Sequence, residues 1–294
     1  MNSIKILSPA KLNLDLYIID KRDDDYHNIS SLMQPINIYD EIKIEISDSE
    51  DAISLNFPDD IVSFEENLIT KAALKFLDSF KITNHLNISV KKRIPVGSGM
   101  GGGSSNAASV LIGLSKLFSI DAFDTLKKIA IQLGSDVPFF LYSRTARVSG
   151  RGELVEPYRI NEKLKYLLIF PGIVSKTKLL YKLWDESNSF LGDDEKQRIN
   201  PFIKKHIFID NKKFILQNDF TPLLIMQDKK YLDIFMLLKE LGLDAYSVSG
   251  SGSTIFCLLD NKKNYSETIR YLQSNQDFST CLVETFEGWH FSFD

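Results

Sequence analysis

The sequence predicts an α+β protein built in two halves, and three observations carry that reading. The chain opens with alternating apolar runs that read mostly as strands, with one helix among them. A glycine-rich segment at 97–103 then separates a strand from a strongly helical stretch. From about Val155 the rhythm restarts, with helices between antiparallel-looking strands and no regular βαβ alternation. The expected domains are residues 1–155 and 156–294, which suits a chain of 294 residues.

The elements follow in order. Ile4 to Ile19 reads as a strand, ended by the charged turn Lys21-Arg22-Asp23-Asp24-Asp25. Ile36, Ile38, Ile42, Ile44 and Ile46 alternate with polar neighbours, the period of a half-buried strand, and Ile53, Leu55 and Phe57 continue it. Leu68, Ala72, Phe76 and Leu77 recur at helical spacing, so a helix is expected from Asn67 to Ser79, followed by a strand through Leu86, Ile88 and Val90. Pro95 stops that strand, and Ala107, Val110, Leu111, Leu114, Leu117 and Phe118 make a helical stripe. A further helix runs from Phe123 to Leu133, where Gly134 suits a left-handed cap. Beyond Val155, Tyr166 to Phe170 reads as a buried strand closed by Pro171-Gly172, and Thr177 to Trp184 as a helix. Asp185 to Lys213 has little periodicity and is expected to form loops or short helices. Tyr231 to Leu241 is a helix closed by Gly242, Ser247 to Leu259 is strand, glycine turn and strand, and a helix and strand at 265–274 and 281–286 finish the chain.

Composition narrows the function classes. A formal charge of −4 lacks the basic surplus of a nucleic-acid binder, so no nucleic-acid partner is expected. Cys257 and Cys281 are too few and too separated for a disulfide framework, and His27, His85, His206 and His290 form no pair at ligand spacing. No apolar run approaches the roughly 20 residues that span a bilayer, and Met1 to Asn13 lacks a signal-peptide core. A cytoplasmic protein with no membrane partner is expected, as a monomer or homodimer.

The glycines at 97, 99, 101, 102 and 103 precede a helix, the order a phosphate cradle needs, because glycine lets backbone N–H groups approach an anion at the positive end of the helix dipole. Ser104 and Ser105 place hydroxyls in the first turn, where they cap the helix, bond a phosphate or, for Ser105, hold Mg²⁺. Gly97-x-Gly99-x-x-Gly102 literally fits a dinucleotide fingerprint, with Asp121 near the ribose-binding position. However, the preceding Lys91-Lys92-Arg93-Ile94-Pro95 is no buried parallel strand, and no Gly-Lys-Ser/Thr completes a P-loop. A nucleotide cradle of a third kind is the remaining reading, with a dinucleotide oxidoreductase and a non-enzymatic nucleotide-binding module as rivals.

Four segments occur together: Pro9-Ala10-Lys11-Leu12-Asn13, the loop and helix start from Pro95 to Ala108, Leu133 to Leu141 around Gly134-Ser135-Asp136-Val137-Pro138, and Ser247 to Phe256. In this order, across residues 8–256, the chain resembles the GHMP kinase superfamily. The resemblance implies an amino-terminal domain like the second domain of ribosomal protein S5, a ferredoxin-like carboxyl-terminal domain, and an active site in the cleft between them. It implies transfer of the γ-phosphoryl of ATP, with Mg²⁺, to an alcohol. Tyr26-His27 after a charged turn and Lys92-Arg93 before the glycines favour members whose acceptor is the 2-hydroxyl of a methylerythritol bearing a cytidine diphosphate group, in isoprenoid precursor synthesis, over mevalonate, homoserine or sugar kinases.

By that resemblance ATP is held by Pro95, Val96, Gly97, Ser98, Gly99 and Met100, and by Gly101, Gly102, Gly103, Ser104, Ser105 and Asn106. Asp136 is the general base and Lys11 its cationic partner. Taken alone, Asp136 reads more readily as a turn acid and Lys11 as a solvated lysine. Lys11 and Asn13 also touch the acceptor hydroxyls, Tyr26 and Tyr181 sandwich the pyrimidine, and His27 bonds its polar edge, although His27 by itself is also an ordinary loop histidine. Thr177 anchors the placing of Tyr181, Gly250, Ser251 and Gly252 close against the diphosphate, and Asn218-Asp219 play a supporting part. A plain hairpin turn is the alternative for Gly250 to Gly252.

Overall fold

The computed structural model of the chain describes residues 2–48, 51–57, 63–186, 205–210 and 212–293. The first half holds β1 (Ser3–Asn13), β2 (Asp15–Lys21), β3 (His27–Ser47), β4 (Ile53–Asn56), α1 (Leu68–Phe80), β5 (His85–Lys91), α2 (Gly102–Leu117), α3 (Phe123–Leu133), α4 (Val137–Tyr142), β6 (Ala146–Gly150) and β7 (Leu154–Pro157). The second half holds β8 (Lys165–Phe170), α5 (Thr177–Glu186), β9 (Lys205–Ile209), β10 (Lys212–Asn218), α6 (Thr221–Gln227), α7 (Lys230–Glu240), β11 (Tyr246–Val248), β12 (Ile255–Leu259), α8 (Ser266–Gln273), β13 (Ser279–Glu284) and β14 (Phe291–Phe293). The mixed α+β class is as expected.

β3 is the spine. Its first part pairs antiparallel with β2 and β6, and its last part pairs antiparallel with β1 and β5. β4 and β5 are parallel neighbours joined through α1, one βαβ unit in a largely antiparallel sheet. The second sheet runs β11-β12-β8-β13, antiparallel throughout. The expected division at 155/156 falls inside β7, and β10 and β14 return to pair with β2 and β1.

Three packed groups hold these layers. The isoleucines of β1 and β3 (Ile4, Ile6, Ile42, Ile44) pack with Phe76 of α1 and Val110 and Leu114 of α2. Leu167, Ile169 and Ile255 of the second sheet pack with Leu180, Phe235 and Leu238 of its helices. Between the sheets, Ala10, Leu12 and Ile36 meet Tyr166, Leu168 and Phe256. This last group fixes the two sheets against each other and thereby the cleft between them.

Several expectations are corrected. The strand expected over Ile4–Ile19 is two strands broken at Leu14. β3 begins nine residues before Ile36, because Ser31, Leu32, Met33 and Gln34 are buried on both faces and so show no alternation. Gly134 ends α3 with φ 168°, extended and not left-handed. Within Asp185–Lys213, residues 187–204 and 211 lie outside the described residues, but Lys205–Ile209 and the start of β10 are strands, in an antiparallel pair. α4, β6, β7 and α6 are additions, each short enough to leave no clear period.

Candidate active site

Lys11 stands on β1 just after a register shift between Pro9 and Ala10. The bulge re-aims the strand end. The Lys11 side chain is only 4% exposed, and its ammonium donates to the Gly99 carbonyl at 3.1 Å and to Asn13 Oδ1, and lies 3.5 Å from Asp136 Oδ2. Asp136 precedes α4, yet its carboxylate caps no α4 amide and faces Lys11 instead. Asn13 Nδ2 donates to Ser31 Oγ at 2.7 Å, which locks the amide with its oxygen toward the lysine.

The glycine loop is a spacer between backbones. A Cβ at Gly99 would lie 2.3 Å from the Ser249 carbonyl oxygen and 2.5 Å from that of Gly252. Only glycine, at φ +75°, lets these two loops touch. Ser249 Oγ donates to Gly99 O at 3.1 Å, Thr254 N to Ser98 O at 3.1 Å and Lys11 N to Met100 O at 3.0 Å. Asn218 Nδ2 holds the second loop from behind through the carbonyls of Val248 and Gly250, at 2.8 and 2.6 Å.

Asp40 fixes the loop's entry. Fully buried on β3, its carboxylate accepts from the amides of Arg93 (2.7 Å) and Ile94 (2.9 Å), from Asn106 Nδ2 (2.8 Å) and from Lys92 Nζ. Asn106 Nδ2 also reaches Ser8 Oγ at 2.9 Å.

Two cavities flank the glycines. One, of about 250 Å³, has Lys11, Asn13, Asp136, Thr177, Tyr181 and Ser251 on its walls, with Gly97, Gly99 and Gly250. The other, of about 220 Å³, lies between the loop and the start of α1, lined by Phe57, Asn67, Leu68, Lys92, Pro95 and Val96 beside Ser98 and Gly102. Gly101 borders both. Sequence reasoning did not single out Phe57, Asn67 or Lys92 as site residues. Asn67 leaves a trace, as the N-cap of α1 whose side chain accepts from Ile69 N. Ser175 was also missed. It borders the first cavity and donates to Ser251 O at 2.5 Å, while the hydroxyls of Thr177 and Ser251 pair at 2.6 Å.

The two tyrosines and His27 are not assembled as a sandwich. His27 stacks on Tyr181 itself, with ring centroids 4.6 Å apart and 18° between planes, and its Nε2 lies 2.6 Å from Asp185 Oδ1. Tyr26 is half exposed, outside both cavity linings, with the Arg151 guanidinium 5.0 Å over its ring. Asp185 also pairs with Lys21 at 2.9 Å, tying the end of α5 to the β2–β3 hairpin.

Comparison with known proteins decides the family. Residues 67–144 match the GHMP kinases N terminal domain. A 4-diphosphocytidyl-2-C-methyl-D-erythritol kinase of Syntrophus aciditrophicus is 35% identical over 287 residues, covering 97% of this chain and 100% of that protein. One from Clostridium perfringens is 33% identical, covering 95% of this chain and 97% of that one. The chain belongs to the 4-diphosphocytidyl-2-C-methyl-D-erythritol kinase family. A crystal structure of 4-(cytidine 5'-diphospho)-2C-methyl-D-erythritol kinase superposes with a TM-score of 0.77 at 27% identity, over 97% of this chain and all of that one. Homoserine kinase from Cytophaga hutchinsonii, at 16% identity and a TM-score of 0.71, shares the fold. The two-domain GHMP kinase fold is thus the fold of this chain, and the dinucleotide oxidoreductase reading is overturned. β5, which enters the glycine loop, is antiparallel to β3 and does not open a βαβ unit.

Within this kinase four expected contacts change. α2 begins at Gly102 with Gly101 as its N-cap, so Ser104 lies inside the first turn and caps nothing. Ser105, expected to hold Mg²⁺, is fully buried with its hydroxyl accepting from Ser8 Oγ at 2.8 Å, and it lines neither cavity. Among the described residues no three His, Cys, Asp or Glu side chains cluster as a metal cage. Met100 sends its side chain into the core between the sheets, and Gly252 borders Tyr231 and Leu224 instead of a cavity. No described helix is long and apolar enough to cross a membrane.

Burial, and then the nearby Asp136 charge, push the Tyr181 phenol up to about 12, so the ring stays neutral. Partial burial would raise Asp185, but hydrogen bonds from His27 and Lys21 overcome it and hold the carboxyl below its usual range. A depressed folded-state value stabilises the fold above the ordinary carboxylate pKa of about 4 and loses that contribution as pH falls through the folded value. Asp185→Asn should therefore flatten the acid limb of a plot of thermal midpoint against pH and leave the neutral limb nearly parallel to wild type. Asp40→Ala, which strands the mostly covered Lys92 ammonium and two amides, should cost about 3–5 kcal/mol in urea unfolding.

Proposed function

We propose that the chain transfers the γ-phosphoryl of ATP to the 2-hydroxyl of 4-diphosphocytidyl-2-C-methyl-D-erythritol, in isoprenoid precursor synthesis. The observation that carries the reading is the Lys11–Asp136 pair set at the edge of a glycine loop with a cavity on either side. Residues 1–155 serve as the ATP-binding half and 156–294 as the half that closes the acceptor site.

ATP occupies the cavity beside Asn67, Lys92 and Pro95, with its phosphates over the glycine amides and the α2 N-terminus. The acceptor lies across the loop, where the only lining carboxylate among the described residues is Asp136. The acceptor oxygen bonds to the γ-phosphorus, the bond from that phosphorus to the β–γ bridging oxygen breaks, ADP leaves, and Asp136 takes the hydroxyl proton. Lys11 stabilises the anionic charge on the acceptor oxygen. Thr177, Gly250 and Ser251 border the acceptor's diphosphate, and Tyr181, with His27 stacked on it, supplies the surface for its pyrimidine, with Tyr26 joining after a rotation away from Arg151. Among the described residues no carboxylate cage for Mg²⁺ forms, and Mg²⁺ would enter with the phosphates of ATP, whose charge it would neutralise. Cytoplasmic reaction is consistent with the two free thiols, Cys257 and Cys281.

The test is ADP release with a panel of acceptors. The cytidine diphosphate alcohol should be phosphorylated, with mevalonate and homoserine inert at the same concentration; turnover of either instead would reject the assignment. Asp136→Asn should lower kcat by about 10²–10⁴ while ATP binding stays intact, and unchanged turnover would remove the base role.

A further inference from the structure

Behind Asp136 lies the turn Gly150-Arg151-Gly152-Glu153, which joins β6 to β7. Gly152 has φ +125°, and a Cβ there would sit 2.4 Å from the carbonyl oxygen of Ser135 and 2.9 Å from its carbonyl carbon. Backbone fills that space, so any side chain at 152 must displace the residue that precedes Asp136. Arg151 ties the same turn to the end of α3, Nη2 donating to the Ile131 carbonyl at 3.2 Å. The turn is closed internally by Gly152 N to Ser149 O at 3.2 Å and by Arg151 N to Glu153 Oε2 at 2.7 Å. Asp136 takes no orientation from capping α4, and its distance of 3.5 Å from Lys11 leaves little room for drift.

We propose that Gly152 is a positioning residue for phosphoryl transfer. Its bare backbone is the buttress on which Ser135 rests, and that contact sets where the Asp136 carboxylate stands relative to Lys11. The inference rests on the reading of Asp136 as the base. It makes the β6–β7 turn part of the catalytic geometry although none of its residues lines either cavity.

The same turn contains its own control. Gly150 also has a positive φ, +68°, but the nearest atoms a Cβ there would meet are those of the Glu153 carboxylate, the flexible end of a side chain in the same turn. Steady-state kinetics on Gly152→Ala, Gly150→Ala and Asp136→Asn separate the possibilities. Gly152→Ala should lower kcat by about tenfold or more, since an ångström of misplacement can cost that much, with KM for ATP unchanged. Gly150→Ala should keep kcat within about twofold whatever it does to the thermal midpoint. A wild-type kcat in Gly152→Ala, or an equal loss in Gly150→Ala, overturns the inference while leaving the base reading intact. A wild-type kcat in Asp136→Asn overturns the base reading and the inference with it. Should Gly152→Ala not fold, Arg151→Ala keeps both glycines and removes the tie to Ile131. Faster amide exchange at Asp136 and Val137 together with a severalfold lower kcat would support the buttress, and wild-type values of both would overturn it.

Discussion

An ammonium group buried to a few per cent exposure is the constraint on which the rest of the structure depends. Taking Lys11 out of water costs several kcal/mol unless its charge and its donors are answered. The partners come from β1 itself, from the glycine loop and from the residue before α4: Asn13 Oδ1, the Gly99 carbonyl and the Asp136 carboxylate. None of the three segments can move far without stranding a charge. The β1 bulge, the glycine contacts and the sheet-to-sheet core are therefore coupled to one cation.

The glycines serve this arrangement in a particular way. Gly99 is required less for its freedom than for its lack of bulk, since two carbonyls of the opposite loop occupy the place of a Cβ. Gly101 does the same against the Phe140 ring and the Lys11 stem. By letting backbones meet, the loop becomes a thin wall with a cavity on each side. In the proposed function the donor and acceptor meet at this loop, which suits a reaction catalysed mainly by positioning.

Next to the cavity that Tyr181 lines, several side chains are engaged with one another. His27 and Tyr181 stack together, Asp185 holds His27 and Lys21, and Arg151 covers Tyr26. A pyrimidine would exchange these aromatic and cation–π contacts for equivalent ones, so the exchange requires little net loss of apolar contact.

How much was legible differs from element to element. α1 and β5 were readable because each keeps one face wet, leaving the period of the helix or strand in the order of residues. β3 was half readable: its later part alternates, but Ser31 to Gln34 are covered on both sides and lose the pattern. The linear order also carried the glycine cradle, whereas Asp136 and Lys11 stood out only through the resemblance, since a turn acid and a lone lysine imply no chemistry by themselves. It could not reveal that Ser105 turns inward to Ser8, that Ser104 falls inside α2, or that His27 rests on Tyr181 and Asp185. Local sequence determines period, turn chemistry and the available functional groups. Which way a hydroxyl points, and which backbone stands where a Cβ would be, is decided by partners far away in the chain, brought near only when the two sheets close on their shared core.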